Sequence, residues 1–340
     1  ILDENAPDSE RYKMILQSGK YSTGLPFPHV GTTIMGYASA DGLNWKEVES
    51  PFLTKGPFDS HNILIWDDEI EKYVIYMRGV AHRGLGEFIG GYRAIRRSES
   101  SDFKNWTPAK LVVENDEDDP SDHHFYTNAA VNYERAAQSF FMFPMILYVD
   151  RQYPDAPKPG LSDIQLIVSR DGINWDRRFR EPFLSPDFDE RNWVDRNPIM
   201  GSGILQTSPT EMSMYYSEFL RAVPDTRIRR CIIRTDGFVS VHGPYAGWGE
   251  FTTPPITFSG SELEMNFKTT GGGAFFVELQ DQGGNALPGF MMEENDRLFG
   301  NKIDGKVSWN GDGNVSALSG IPVRMRVRMR DADIYAFRFK

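Results

Sequence analysis

Three carboxylates of this sequence border apolar strand candidates in a similar way: Asp59, Asp195 and Glu218. Carboxylates that converge on one site act as general acid, general base or nucleophile. Asp59 and Asp195 each precede an apolar strand, whereas Glu218 ends one that contains Tyr215 and Tyr216. Because apolar surroundings favour the protonated form of a carboxyl group, we predict that Glu218 is the proton donor of the three.

Polar and aromatic residues accompany these acids at matching positions of neighbouring strands. The start of one strand and the end of the next lie at the same end of an antiparallel sheet, so these side chains should converge. The predicted binding residues are His61, Asn62, Arg78, His124, Tyr126, Asn128, Trp193, Arg196 and Asn197. Arg78 is expected to clamp a ligand hydroxyl group or to hold a carboxylate in its ionised form.

Structural alternatives stay open for several of these candidates. They are a turn-capping role for Asp59, an ion pair with Arg196 for Asp195, an ion pair with Arg221 or Arg78 for Glu218, a core position for His61 and a loop position for His124. The functional hypothesis rests on the recurrence of similar phrases at matching positions of the blades. This joint pattern is stronger evidence than any single residue.

An internal repeat indicates how the chain positions these residues. The phrase Ser39–Trp45 (SADGLNW) recurs as Ser169–Trp175 (SRDGINW), with a looser copy at Ser98–Trp106 and a trace at Arg234–Phe238. Each copy combines a strand end, an Asp turn and a Trp that is expected to pack. The spacing of about 60 to 70 residues suits one four-stranded blade of a β-propeller.

The repeat divides the first part of the chain into blades. One partial blade covers about 9–55, and fuller blades cover 56–113, 122–184 and 193–245, opened by the phrases Phe58–Asn62, His124–Asn128 and Trp193–Asn197. A propeller must close its ring, so about one and a half blades are missing from a five-bladed ring. We expect an upstream segment or a second chain to complete it, with natural truncation as the alternative.

The composition changes from about residue 250, where Pro254 and Pro255 are typical of a linker. Strand candidates follow at Glu262–Phe267, Ala274–Gln280, Lys306–Trp309, Val323–Met329 and Ile334–Phe339, with Gly271–Gly273 predicted to form a turn. The predicted fold is therefore all-β, with a propeller domain at 1–249 and a small antiparallel β-sandwich at 250–340.

Several phrases resemble the five-bladed β-propeller glycoside hydrolases of families 32, 43 and 62, and most of all bacterial family 32-like propeller proteins that carry a C-terminal sandwich. The matching phrases are Glu10–Lys13, Phe58–Asn62, Tyr126–Asn128, Tyr215–Glu218, Asp236–Ser240 and Asp331–Phe337. The sequence lacks the Asn-Asp-Pro-Asn-Gly, Arg-Asp-Pro and Glu-Cys motifs of family 32, so the mechanism of that family is not transferred residue by residue.

The resemblance implies a hydrolase that cleaves glycosidic bonds of a furanoside- or galactoside-type poly- or oligosaccharide. Asp59, Asp195 and Glu218 would then be the working carboxylates, His124 and Tyr126 would line the sugar site, and Trp193 would stack on a sugar face. A non-catalytic carbohydrate-binding protein is the alternative.

The amino-acid composition limits the classes of molecule that this protein is expected to bind. The 340 residues carry a net charge of −11, which disfavours nucleic acids and anionic membranes. The single cysteine, Cys231, excludes an intramolecular disulfide, and the first residue, Ile1, indicates a removed leader or a fragment. We expect a secreted or periplasmic protein without a cofactor. The acidic run Glu114–Asp119 keeps a structural calcium ion as an alternative, although it lacks the spacing of a known calcium loop.

Overall fold

A computed structural model describes residues 1–18, 32–48, 53–59, 61–82, 86–87, 91–221 and 226–340. Ser60, which belongs to the predicted phrase at 58–62, lies outside this part of the chain. The described residues form strands, and their helical segments are short 3₁₀ turns at Asp8–Glu10, Glu190–Asn192 and Ser316–Leu318. The all-β prediction is confirmed.

The chain divides into two compact units. The first contains Ile1–Leu205 and Met214–Cys231, and the second contains Gln206–Ser213 and Ile232–Lys340. The predicted domain boundary between residues 249 and 250 therefore falls inside the second unit.

The first unit begins with two antiparallel sheets. The strands of the first sheet are β1 (Tyr12–Ser18), β2 (Thr32–Ser39), β3 (Lys46–Glu47) and β4 (Leu53–Gly56). The strands of the second are β5 (Ile63–Asp67), β6 (Lys72–His82), β7 (Gly86–Glu87), β8 (Tyr92–Ser100) and β9 (Lys110–Val113). The second sheet has the order β5-β6-β8-β9, which places the long β6 and β8 at its centre.

Residues 123–176 form two further sheets. Their strands are β10 (His123–Phe125), β11 (Val131–Asn132), β12 (Phe140–Met142), β13 (Met145–Tyr148), β14 (Leu161–Ile164), β15 (Ile167–Ser169) and β16 (Trp175–Asp176). One sheet has the order β10-β13-β14 and the other β11-β12-β15-β16. The apolar segment 140–148 forms two strands, β12 and β13, because Pro144 between them has no N–H to donate to a neighbouring strand.

The last strands that contribute to the first unit follow. They are β17 (Ile199–Met200), β18 (Leu205–Ser208), β19 (Glu211–Glu218) and β20 (Arg227–Arg234), of which β18, β19 and β20 belong partly to each unit. Ile199 of β17 lies opposite Ser217 of β19, and β20 also pairs with β19. The end of β19 is thereby held between two strands.

Successive sheets of the first unit share apolar cores. Ile34 of the first sheet packs with Ile75 and Met77 of the second. Tyr76, on the other face of β6, belongs to a larger core that includes Phe140 of the β11-β12-β15-β16 sheet. Alternation of side chains along β6 therefore buries both of its faces, one against the preceding sheet and one against the following sheets.

The sequence repeat forms one recurrent turn. In the first copy the Asp41 carboxylate accepts hydrogen bonds from the backbone N–H groups of Leu43 and Asn44 and from the Asn44 side chain, at 2.7–2.8 Å. Asp171 makes the corresponding bonds to residues 173 and 174. This Asx-type turn needs a left-handed residue after the Asp, as Gly42 and Gly172 provide.

The third copy forms the same turn, inside the predicted segment Ser98–Trp106. Asp102 bonds to Lys104 and Asn105, and Ser100 rather than Ser98 is the Ser of the motif. Phe103 takes the glycine position at φ 62°, and its ring packs against Tyr73 at 5.1 Å. Burial of this ring offsets the cost of a left-handed non-glycine residue.

The second unit contains one further sheet. Its strands are β21 (Val241–Gly243), β22 (Gly249–Thr252), β23 (Leu263–Gln280), β24 (Asn301–Lys306) and β25 (Arg324–Phe339), in the order β21-β25-β23-β24 with β22 also on β25. Each of β23 and β25 joins two strands that were predicted separately. Gly271–Gly273 forms an irregularity inside β23, between Thr269 and Ala274, instead of a turn. The predicted sandwich stays a prediction.

Candidate active site

Three arginines surround the ring of Tyr126, a buried residue that directly follows β10. The guanidinium carbon of Arg78, from β6, lies 4.4 Å from the ring centroid, and its Nη2 also donates to the Tyr126 carbonyl oxygen. Arg93, from β8, lies at 5.4 Å and Arg196 at 5.5 Å. A tyrosine face attracts guanidinium groups, so this ring is a common anchor for side chains from three segments.

The arginines connect two of the predicted carboxylates. Nη1 of Arg78 lies 3.5 Å from Oδ2 of Asp59, and Nε of Arg196 lies 3.4 Å from Oδ2 of Asp195. Both acids are therefore attached to the Tyr126 ring through one arginine each. The structure thus brings together four of the predicted residues around a fifth.

Asp195 has further cationic neighbours. Its Oδ2 lies 3.4 Å from Nζ of Lys158 and 3.6 Å from Nε of Arg221, and its side chain is 3% exposed. These are ion-pair distances without hydrogen-bond alignment, because the same oxygen has no hydrogen-bond partner among the described residues. Asp195 is thus a buried acceptor surrounded by cations, and its pairing with Arg196 is the alternative that the sequence left open.

Left-handed residues precede the first strand of three sheets of the first unit. His61 (φ 59°) stands before β5, Ala129 (φ 44°) before β11 and Arg196 (φ 58°) before β17. Such non-glycine conformations cost free energy and cluster at functional sites. The three segments that precede these strands therefore share a left-handed residue, which lies inside the predicted phrase for His61 and Arg196 and directly after it for Ala129.

Two predicted histidines are neutral. Nδ1 of His61 accepts from the backbone N–H groups of Asn128 and Ala129, and the Asn128 side chain donates to the His61 carbonyl at 2.6 Å. Burial, with a smaller contribution from Arg78, lowers the pKa of His61 to about 4. These contacts fit the structural alternative for His61, and the binding roles of His61 and Asn128 stay predictions.

His124 orients Arg93. Its Nδ1 lies 3.2 Å from the Arg93 backbone N and 3.1 Å from the Arg93 Nη1, both of which donate. Burial, followed by the charge of Arg93, lowers the pKa of His124 to about 4. Burial likewise lowers the pKa of Arg78 to about 10, against the opposing effect of Asp59. At neutral pH the imidazole is therefore an uncharged acceptor and the guanidinium groups are cations.

Glu218 lies in a different environment from the one predicted for a proton donor. Its carboxylate is 1% exposed and accepts from Nε of Arg227 at 3.0 Å and from Nε of Arg229 at 2.8 Å. None of its described contacts reaches Tyr126 or the three arginines around it. This geometry fits the ion-pair alternative, although with other partners than Arg221 or Arg78, and the catalytic role stays a prediction.

Of the remaining predicted residues, Asn197 and Trp193 form hydrogen bonds with the backbone. The Asn197 side chain is fully buried, donates to the Asn192 carbonyl and accepts from the Leu220 N–H. Trp193 donates from Nε1 to the Asp187 carbonyl at 2.7 Å. Asn62 is half-buried, and its Oδ1 has no hydrogen-bond partner among the described residues.

The sequence reasoning missed Arg93 and Lys158. Val80 of β6 lies opposite Arg93 of β8, so Arg93 is a diagonal neighbour of Arg78 on the same face. This relation depends on the register between two strands separated by a long connection, which local sequence does not give.

The described residues contain neither a cluster of metal-binding side chains nor a membrane-spanning helix. No group of three or more His, Cys, Asp or Glu side chains there is arranged to hold a metal ion. Asp116 and Asp119 of the acidic run instead bind Arg177 and Arg180 at 2.6–2.9 Å. The same part of the chain contains no helix with the length and apolarity required to cross a membrane.

No protein-family profile and no curated protein sequence matches the chain. An N-acetylgalactosamine deacetylase from F. plautii, solved with blood group B trisaccharide, is similar over 60% of this chain and 65% of its own length, with 14% identity and a TM-score of 0.42. The chain thus spans less than two thirds of that enzyme.

Two solved glycoside hydrolases are similar over nearly the whole chain. A GH32 β-fructofuranosidase from Bombyx mori has 11% identity and a TM-score of 0.40, over 98% of this chain and 80% of its own. A GH43 arabinoxylan arabinofuranohydrolase from Bacillus subtilis has 10% identity and a TM-score of 0.36, over 97% and 79%. Glycoside hydrolases of families 32 and 43 are therefore among the structures to which this chain is similar at low identity.

Proposed function

We propose that this protein is a propeller-type glycoside hydrolase that cleaves a furanoside- or galactoside-type poly- or oligosaccharide. The observation that carries the proposal is the pair of carboxylates, Asp59 and Asp195, attached by Arg78 and Arg196 to the same Tyr126 ring. Glycoside hydrolysis requires two carboxylates that converge on the scissile bond from different segments. Packing of successive sheets in chain order supports the propeller architecture.

The charges around the two acids favour different roles. Asp195 has three cations within 3.6 Å, which stabilise a negative charge, so we assign it the part of base or nucleophile. Asp59 lies 3.5 Å from Arg78, and its side chain is 18% exposed, against 3% for Asp195. It can therefore reach a leaving-group oxygen, and we assign it the part of proton donor. Glu218 then stabilises the β19–β20 pair through its two arginines.

The test is hydrolysis of a glycan panel by the wild type and by Asp59→Asn, Asp195→Asn and Glu218→Gln. Loss of a general acid or base lowers kcat by about 10²–10⁴-fold, so Asp59→Asn and Asp195→Asn should show this loss. Glu218→Gln should retain turnover once the folded fraction is taken into account. Asp176→Asn is the control, because Asp176 is half-exposed and pairs with the exposed Arg178.

The outcomes separate the hypotheses. If Asp59→Asn or Asp195→Asn is as active as the wild type on a glycan that the wild type cleaves, the assignment of that residue is wrong. If Glu218→Gln is fully folded and inactive, Glu218 belongs to the mechanism as the sequence predicted. Glycan binding without cleavage of any panel member would favour the non-catalytic carbohydrate-binding alternative.

A further inference from the structure

The surroundings of Tyr126 and Asp195 have an excess of positive charge. The cations are Arg78, Arg93, Arg196, Lys158 and Arg221, and the carboxylates are Asp59 and Asp195. Five positive charges against two negative charges leave an excess of three, in a chain whose net charge is −11. Self-repulsion in such a cluster is unfavourable unless an anion neutralises it.

Arg93 is the cation whose charge is least compensated. Among the described side chains no carboxylate lies within ion-pair distance of Arg93, and the charge of Asp59 acts on it only from farther away. Its close contacts are Nδ1 of His124 and the face of Tyr126. His124 is uncharged at neutral pH because burial lowers its pKa. Burial lowers the pKa of Arg93 as well, which shows that its surroundings disfavour the charge.

The two contacts of Arg93 fix its orientation without using its charge. His124 accepts from both the backbone N–H and Nη1 of Arg93, so the side chain is held close to its own backbone. The other guanidinium nitrogen atoms remain as donors in a rigid planar fork, which matches the geometry of a carboxylate or a sulfate. An arginine whose only role was packing on Tyr126 would need no such second anchor.

We infer that the site binds a saccharide with an anionic substituent, a carboxylate or a sulfate ester, and that Arg93 is the residue that binds this group. The inference rests on the proposed function and names its substrate class. Arg78 and Arg196 form ion pairs with Asp59 and Asp195, so Arg93 is the arginine of this group that we expect to bind the ligand. The expected substrate is an acidic glycan rather than a neutral one.

The test uses three probes that share a ring and contain no glycosidic bond: galacturonate, galactose 6-sulfate and galactose. Their affinities for the wild type and for Arg93→Gln are measured by calorimetry on the full chain at low salt. The control is Arg178→Gln, because Arg178 is 73% exposed, pairs with Asp176 and changes the net charge by the same amount. Near-ultraviolet circular dichroism verifies that each variant is folded.

We expect at least one anionic probe to bind the wild type about tenfold more tightly than galactose, since hydrogen bonds to charged groups contribute most to affinity. Arg93→Gln should abolish this preference, and Arg178→Gln should preserve it. Preference for galacturonate identifies a carboxylate, and preference for galactose 6-sulfate identifies a sulfate ester. If Arg93→Gln does not fold, Arg93→Lys replaces it and should weaken the preferred anion by loss of the fork.

Equal binding of the three probes to the wild type would overturn the inference, as would an anion preference that survives in folded Arg93→Gln or Arg93→Lys. Because the probes cannot be cleaved, these results are independent of turnover. Anion preference without hydrolysis of any glycan would overturn the proposed function alone. Hydrolysis of neutral glycans without anion preference would overturn the present inference alone.

Discussion

Alanine at two equivalent glycines of the repeat should have very different effects. Gly42 and Gly172 occupy the same place in their turns, with φ of 73° and 67°. A side chain in this left-handed region costs about 1 kcal/mol. Gly42→Ala should lower the free energy of unfolding by little more than this, because its new Cβ would lie 3.7 Å from the Tyr12 ring, an ordinary contact distance.

At Gly172 the substitution would also destabilise the protein through a steric clash with Tyr76. The new Cβ would lie 2.6 Å from Oη of Tyr76, the hydroxyl that donates to the Gly172 carbonyl at 2.7 Å. Tyr76 is 1% exposed and in contact with Trp175, so its ring has little room to move. Loss of this buried hydrogen bond costs about 1–3 kcal/mol, so Gly172→Ala should destabilise the protein by about 3 kcal/mol in total.

A double-mutant cycle with Tyr76→Phe isolates this second cost. Without the hydroxyl the clash disappears, so Gly172→Ala in the Tyr76→Phe background should cost about 1 kcal/mol, as Gly42→Ala does. The assay is urea unfolding of the full chain at pH 7.5, followed by tryptophan fluorescence. The reasoning is refuted if Gly42→Ala and Gly172→Ala are equally destabilising, or if the coupling between Gly172 and Tyr76 is under about 0.5 kcal/mol.

Two further predictions concern charge. Burial lowers the pKa of both His61 and His124 to about 4, against an ordinary value of 6.5, so below pH 6.5 the unfolded chain binds protons that the folded chain does not. The free energy of unfolding should therefore fall by about 2 kcal/mol per histidine between pH 6.5 and pH 5, and a urea titration series that is flat over this range would contradict it. Arg177→Met should cost about 2 kcal/mol, because Nη2 of Arg177 donates to both oxygens of the buried Asp119 at 2.6 and 2.8 Å. Arg178→Met, at the exposed neighbouring position, should cost under about 0.5 kcal/mol in the same urea assay, and equal losses would show that the Asp119 pair is not a stabilising contact.

Local sequence patterns were sufficient where one short segment determines the structure. The Ser-x-Asp-Gly phrase predicted the turns at Asp41 and Asp171, since the Asp carboxylate bonds to residues two and three positions ahead. The third copy, within Ser98–Trp106, was only a loose match because Phe103 stands in place of the glycine. Its left-handed conformation is made acceptable by a packing partner, Tyr73, that the sequence does not reveal.

In the candidate site, too, some residues could be selected from local sequence, whereas the contacts of others depend on distant strands. Position next to a strand was enough to select Asp59, Arg78, Tyr126 and Asp195, because strand starts and ends of antiparallel sheets meet at one edge. The partners of Glu218 depended on the pairing of β20 with β19, and the approach of Arg93 depended on the register of β8 on β6.

By itself, the sequence determined the all-β class, the recurrent turns and the segments that carry the polar residues. These follow from alternation and from hydrogen bonds a few residues long. Only the tertiary structure decided that Arg93 faces Tyr126 with no carboxylate of the described residues at ion-pair distance, while Glu218 is held by two arginines. Charges from distant segments meet according to strand register and core packing, and neither quantity is encoded within a short stretch of chain.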